Sequence, residues 1–328
     1  MDLTVVICTR NRDRILRRTL SSLECQKIQK SDWEVVVVNN GSGDDTAVVL
    51  LDKWKLSLLT LYEPLEGKSY ALNRALAAVR GGVVVFTDDD MTFSESWLSS
   101  YLEVSQRYPE IPVFCGPIIP QFPPQTPDWL RHHPFGNYAF GDFSPDMEEG
   151  VLPPPILPFG GNFAVRASAL RDMTFRVELG PSKANGPLCG EDSEFLRRFR
   201  KQGLPLVYTP KAEVRHWIRP EQIESAWLFG RAFYFGRTFV IDIGNGPPFV
   251  PRVPETLLHS SESLRITRGA VFNFVCGELF QLRLSRNVAS ERALWQAIDR
   301  RELESRLDLL VPAARNVLRS RGGLNVDV

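Results

Sequence analysis

The stretch that most constrains this chain is Val83-Val84-Val85-Phe86-Thr87-Asp88-Asp89-Asp90-Met91, an apolar run that turns into three consecutive carboxylates. Four apolar residues, three of them β-branched, opened by Gly81-Gly82, read as a strand buried on both faces. The acids then have to leave the sheet at the strand's carboxyl end. In open α/β sheets ligands gather in the crevice beyond those ends. Three adjoining carboxylates repel one another and attract a cation, and oxygen donors of this kind suit Mg²⁺ or Mn²⁺. A solvated acidic turn has the same composition. It does not explain why the acids follow a buried strand, so a metal site is expected here.

The same grammar runs through the preceding residues. Leu3-Thr4-Val5-Val6-Ile7-Cys8 reads as a buried strand, ending in Thr9-Arg10-Asn11-Arg12. A helix follows in which Ile15, Leu16, Leu20 and Leu23 share one face. Thr9 or Asn11 can serve as its cap, or with Arg10 and Arg12 can line a nucleotide pocket. Trp33-Glu34-Val35-Val36-Val37-Val38 is a second buried strand, running into the turn-forming cluster Asn39-Asn40-Gly41-Ser42-Gly43-Asp44. Leu56 to Leu61 suggests a third strand, and Glu66-Gly67-Lys68-Ser69 opens a helix with Leu72, Ala75, Leu76 and Val79 on one side. Strand and helix alternate at the spacing of βαβ units, which predicts a mostly parallel sheet with right-handed crossovers. No GxGxxG follows the first strand, and Gly67-Lys68-Ser69 lacks the upstream glycine of a P-loop. A dinucleotide-binding dehydrogenase and a P-loop hydrolase are therefore unsupported.

Beyond the acids, Glu95 to Tyr108 reads as a helix and Val113 to Pro117 as a short strand. The proline-rich segment 117–160 is expected to be a long functional loop, closing at Gly160-Gly161-Asn162, where the glycines imply close backbone approach. Gly190-Glu191-Asp192 then enters a helix with Phe195, Leu196 and Phe199 apolar. Carboxylates in a first turn favour the helix dipole; facing a cleft, either is also a candidate general base. Leu206-Val207-Tyr208 and the run ending at His216 read as strands. A lone histidine is more often structural than a ligand.

Composition narrows the class. Among 328 residues, 39 basic and 39 acidic side chains cancel, which argues against a nucleic-acid binder working through bulk charge. Five cysteines without a CxxC pair suggest neither a zinc site nor a disulfide framework, and point to a reducing, cytoplasmic setting. The N-terminus does not read as a signal peptide, and no apolar run approaches the roughly 20 residues of a membrane span. Residues 244–258 are expected to be a Gly/Pro-rich linker, dividing a catalytic domain at 1–243 from a helical region at 259–328. In that region the apolar side of 270–280 either packs on the catalytic domain or touches a membrane surface peripherally.

Taken in order, these landmarks resemble family 2 glycosyltransferases of the GT-A fold over roughly residues 3 to 220. The resemblance implies an α/β fold with a mostly parallel, Rossmann-like sheet flanked by helices and a C-terminal helical extension. It implies an inverting enzyme of the type that builds polysaccharides, moving a sugar from a nucleotide diphosphate sugar to the hydroxyl of a saccharide or lipid-linked acceptor. The segment Thr9-Arg10-Asn11-Arg12 is similar to the one that cradles the base. Asn39 to Asp44, including Gly41, is similar to the second nucleotide segment, with Asn39 where the family usually has Asp. Lys68 and Asn73 match a helix start beside the diphosphate, although Arg74 replaces the Gly that commonly follows. Asp88-Asp89-Asp90 resembles the DxD motif: Asp88 and Asp89 would face the donor, and Asp90, completed by His216, would hold Mn²⁺ or Mg²⁺. Gly160-Gly161-Asn162 resembles the segment lining the donor and acceptor pocket, and Glu191-Asp192 the ED motif, with Asp192 as base and Glu191 placing the acceptor.

Two rival readings remain at this level. Asp88-Asp89-Asp90-Met91-Thr92 also fits the DxDxT of haloacid-dehalogenase-like phosphatases, although that motif normally closes a first strand rather than a fourth. A non-catalytic sugar-nucleotide-binding subunit would keep the same fold.

Overall fold

The computed structural model describes residues 1–29, 32–131, 139–154, 156–184 and 186–224, together with residues 227, 228, 231, 234, 235 and 238. The expected linker at 244–258 and helical region at 259–328 lie outside the described residues. The chain divides into two compact units. The first comprises Met1–Gln121, Gly141–Gly186 and Gly190–Trp217 and holds every strand and helix described below except the short helix Asp128–Arg131. The second, made of Phe122–Phe140, Pro187–Cys189 and Ile218–Val328, contains Phe140 stacked on Trp227 with ring centroids 6.0 Å apart.

The first unit begins with the expected βα alternation. Strand β1 (Leu3–Thr9) leads to helix α1 (Asp13–Leu23), β2 (Trp33–Asn39), α2 (Thr46–Leu51), β3 (Leu58–Tyr62), α3 (Lys68–Leu76) and β4 (Val83–Asp88). Parallel pairing puts Val5 beside Val35 and Val85, so the apolar runs of β1, β2 and β4 lie in register. Their side chains are almost wholly buried, as expected for strands covered by helices on both faces. Helix α1 contributes Leu16, Leu20 and Leu23 to the core, the face that its 3.6-residue period specifies.

The strand order is β3-β2-β1-β4, continued by β9 (Asn162–Arg166), β6 (Val113–Cys115), β10 (Leu206–Tyr208) and β8 (Gly150–Val151). β2 and β3 lie on one side of β1 and β4 on the other, which makes the β1/β4 boundary the point where the order reverses. There the carboxyl ends of two neighbouring strands open a crevice. The sheet is parallel through β3-β2-β1-β4, but β9 runs antiparallel to both β4 and β6. Helix α4 (Trp97–Arg107) precedes β6.

A small second sheet, ordered β5-β11-β7, joins β5 (Met91–Phe93), β7 (Ile118–Gln121) and β11 (Val214–Trp217). It takes hold of the chain directly after the acids: His216 pairs with Met91, and the amide of Trp217 donates to the carbonyl of Asp90 at 3.1 Å. The segment expected to be one long loop is thus broken by β7, the short helix α5 (Asp128–Arg131) and β8.

Candidate functional site

Aromatic packing brings the late acidic pair to the early one. Helix α6 (Glu191–Lys201) seats Phe195 against Phe175 with ring centroids 4.1 Å apart, and Phe175 also meets Phe86 of β4 at 5.6 Å. That anchoring face fixes the first turn of α6 close to the end of β4. Gly190, just before the helix, has φ 97°, a left-handed conformation in which a side chain would be strained.

Lys68, the first residue of α3, then gathers carboxylates from two other segments. Its Nζ lies 2.8 Å from Asp88 Oδ1, 2.9 Å from Glu191 Oε1 and 3.0 Å from Asp192 Oδ2. Burial works against the Lys68 charge, but Asp192, Asp88 and Glu191 outweigh it and hold the ammonium protonated well above the usual lysine range. Asp192 is only 8% exposed. Its burial pushes the carboxyl up to about 7, against the pull of Lys68 and with the help of the charges on Glu191 and Asp88. A carboxylate that titrates near neutrality beside a crevice can both accept and hold a proton.

The glycine pair makes this crowding feasible. A Cβ on Gly160 would fall 1.8 Å from Asp192 Oδ2, and one on Gly161, which has φ 93°, would fall 2.9 Å from Asp88 Oδ2. The backbone at 160–161 therefore lies against both carboxylates, as the sequence suggested.

A second group surrounds Asp89 and Asp90. Thr9 Oγ1 donates to Asp89 Oδ2 at 2.7 Å, and Arg12 Nη1 donates to Asp89 Oδ1 at 2.6 Å and to Asp90 Oδ2 at 3.0 Å. Burial raises the Asp89 carboxyl above its ordinary value, against the pull of Arg12 and Thr9. His216 Nε2 lies 3.6 Å from the same Asp90 oxygen, Oδ2. Among the described residues, no group of three or more His, Cys, Asp or Glu side chains stands at metal-holding spacing. The carboxylate–imidazole pair Asp90–His216 nevertheless suits a hard divalent ion that takes its other ligands from substrate phosphate and water. The residues present fit such an ion in that limited way.

The loops after β1 and β2 are laced together at the mouth of the crevice. Asn11, with φ 51°, accepts from Gly43 N at 2.8 Å and donates its own amide to Ser42 Oγ at 3.0 Å. Asn39 Oδ1 accepts from Ser42 N at 2.9 Å, and Gly41 turns the loop at φ 67°. Arg10 reaches Glu66 Oε2 at 2.7 Å.

Four expected pocket residues do other work. Both carboxylate oxygens of Asp89 are taken by Arg12 and Thr9, and the Thr9 hydroxyl is spent on that contact. Thr9 and Asp89 are thus bonded to each other within the protein. Asn73 exchanges two hydrogen bonds with the backbone of Phe175, at 2.9 and 2.7 Å. Asn162 is fully buried: its Oδ1 accepts from Trp97 Nε1 and Tyr101 OH, and its Nδ2 donates to the carbonyls of Pro117 and Ala212. A side chain whose amide is saturated in the core has nothing left for a substrate.

Asn40 was not singled out by the sequence, yet it places Lys68. Its Nδ2 donates to the carbonyls of Glu63 and Leu65, and its Oδ1 accepts from Gly67 N at 2.8 Å, one residue before the lysine. The double Asn at 39–40 was read as turn chemistry, which hid this role.

Residues 4–173, just over half of the chain, match the family model described as glycosyl transferase family 2. The succinoglycan biosynthesis protein ExoM of Rhizobium meliloti is 25% identical over 73% of this chain and 74% of its own length. A glucosyl-dolichyl phosphate glucuronosyltransferase of Haloferax volcanii is 21% identical over 72% and 75%, respectively. Among solved structures, the mannosyltransferase PcManGT of Pyrobaculum calidifontis, in complex with GDP-Man and Mn²⁺, aligns with a TM-score of 0.55 at 18% identity, covering 97% of this chain and 86% of its own. TarS of S. aureus with UDP-GlcNAc aligns with a TM-score of 0.53 at 19% identity, covering 97% and 88%. The likeness confirms the GT-A fold. The family match, which includes Asp88-Asp89-Asp90, removes the phosphatase reading of that motif.

Proposed function

The chain belongs to glycosyl transferase family 2, and on that premise we propose that it is an inverting enzyme carrying a sugar from a nucleotide diphosphate sugar to an acceptor hydroxyl. Asp192 is the general base. It takes the proton of the acceptor hydroxyl as that oxygen attacks the anomeric carbon from the face opposite the diphosphate. The bond from the anomeric carbon to the phosphate oxygen breaks, its electron pair leaves with the nucleoside diphosphate, and the sugar is handed over inverted. One carboxylate is sufficient for such a direct displacement.

The observation that carries this reading is the Lys68 junction, which puts Asp88, on the donor side, and Asp192 on one ammonium. The donor lies across the carboxyl ends of β1 and β4, where the sheet order reverses, with its base toward the laced loops of Asn11, Asn39 and Gly41 and its diphosphate toward Lys68. Asp88 faces the ribose or the sugar, and Glu191 helps to place the acceptor. Gly160 and Gly161 keep that wall free of side chains.

Asp90 and His216 are the residues that would hold Mn²⁺ or Mg²⁺. When bound there, such an ion would supply positive charge to offset that of the departing diphosphate. The mannosyltransferase neighbour, solved with GDP-Man and Mn²⁺, supports both the donor class and the metal. The name of the Rhizobium relative supports a role in polysaccharide assembly, with a saccharide or lipid-linked acceptor. Among the described residues no helix is long and apolar enough to cross a membrane; peripheral contact with a lipid-linked acceptor is part of the proposal.

The test is a binding and hydrolysis screen of nucleotide sugars with Mn²⁺, run beside Asp90→Ala. Metal-dependent binding or slow hydrolysis of one donor, lost in the variant, is expected. Failure to bind any donor would contradict the proposal.

A further inference from the structure

Lys68 is saturated. An ammonium carries three N–H donors and no acceptor, and three carboxylate oxygens lie at 2.8, 2.9 and 3.0 Å from Nζ. A phosphate oxygen can be reached from this arrangement only when one carboxylate is given up.

The three partners are not equivalent. Glu191 is buried, and its second oxygen, Oε2, has no hydrogen-bond partner among the described residues. Taking Lys68 away would strand that carboxylate, which is the costly way to break a buried pair. Asp192 Oδ2, a hydrogen-bond partner of Lys68 at 3.0 Å, is on the reading above also the atom that must be open to the acceptor hydroxyl whose proton it takes. Asp88 sits on the donor side, where Lys68 must remain to meet the diphosphate.

We propose that Lys68 is a positioning residue that exchanges partners when the donor arrives, leaving Asp192 for a diphosphate oxygen. In the unloaded site the ammonium occupies the base. In the loaded site the base is free to accept the acceptor's proton. The exchange couples the freeing of the base to occupancy of the donor site. It also keeps Lys68 in anionic company throughout, since the diphosphate replaces the charge it gives up. This inference rests on the donor-site reading above.

Ligand binding to variants of the full chain tests it. UDP, GDP, dTDP, CDP and ADP are titrated by calorimetry with Mn²⁺ into the wild type, and the tightest is carried forward. If Lys68 must be drawn away from Asp192, then Asp192→Asn removes the competitor, and the nucleotide binds about tenfold more tightly, the scale of coupling between groups in contact. Lys68→Met weakens binding. In that background Asp192→Asn changes affinity less than about twofold, because the lysine that links the two is absent.

A gain of equal size in both backgrounds would mean simple relief of charge repulsion, and would overturn the exchange while leaving the donor site intact. No gain in the wild-type background would overturn it equally. Absence of nucleotide binding by the wild type would overturn both the exchange and the reading beneath it. Should Lys68→Met fail to fold, Lys68→Arg takes its place. A guanidinium has five donors and need not release Asp192, so the gain on Asp192→Asn should shrink in that background; an undiminished gain would contradict the exchange.

Discussion

Gly160 and Asp192 are so close that a methyl group on the glycine would lie 1.8 Å from the aspartate's Oδ2. Residues 32 apart in sequence thereby share one wall of the crevice, and the carboxylate keeps its place only because that wall has no side chain. Gly160→Ala should move Asp192 away from Lys68 and reduce donor turnover at least tenfold. The overpacking should cost about 1–3 kcal/mol of stability. Turnover assays and chemical denaturation of the same preparation check this; wild-type turnover in the variant would mean that the carboxylate position does not matter.

The pH dependence follows from the buried base. Asp192 titrates near 7, so the active carboxylate forms as pH rises through that value and is lost below it. The rising limb of kcat/KM should have an apparent pKa of about 7. Stability runs the other way. Between the ordinary aspartate value of 3.8 and about 7, the folded protein keeps a proton that the unfolded chain has released. The contribution of Asp192 to stability is therefore full at low pH and disappears as pH rises through that window. Asp192→Asn should flatten this component of a stability-against-pH curve, read by denaturant midpoints.

Asn162 should act on stability first. Replacing it with Ala leaves the Trp97 and Tyr101 donors and the Pro117 and Ala212 carbonyls without the partner they now share. The expected loss is on the order of 3–5 kcal/mol, since each buried polar group left unpaired costs about 1–3 kcal/mol. Urea unfolding measures it. A loss below about 1 kcal/mol, together with abolished donor binding, would return Asn162 to the pocket.

His216 offers a test of the metal that does not depend on turnover. If it completes the site of Asp90, His216→Ala should raise the Mn²⁺ concentration needed for nucleotide binding by about ten- to a hundredfold, the scale of losing one supporting group around a metal. Titration of Mn²⁺ against a fixed nucleotide reads this directly. An unchanged Mn²⁺ requirement would leave His216 as a structural partner of Asp90.

The sequence was most informative where periodicity was pure. The valine runs of β1, β2 and β4 announce strands covered on both faces, and the polar residues after them mark the carboxyl ends where the crevice opens. β9 was hidden: Asn162 to Arg166 follows two glycines and looks like loop, and nothing local reveals that it inserts antiparallel between β4 and β6. β5 escaped notice because its three residues gain their order from β11, more than a hundred positions later. The acids, the lysine and the ED pair could be named from their types, but not sorted. Whether Asp89 faces a ligand or a half-buried arginine, or Asn162 a pocket or a tryptophan, depends on long-range partners. For the same reason Asn40 looked like an ordinary turn residue.

The most direct test of the central claim is Asp192→Asn, assayed for sugar transfer or donor hydrolysis and, in the same preparation, for donor binding. The account predicts turnover reduced by about 10²- to 10⁴-fold, the contribution of a general base, with donor affinity kept or increased. Turnover within a few-fold of the wild type would show that Asp192 is not the base, and would contradict the mechanism at its core.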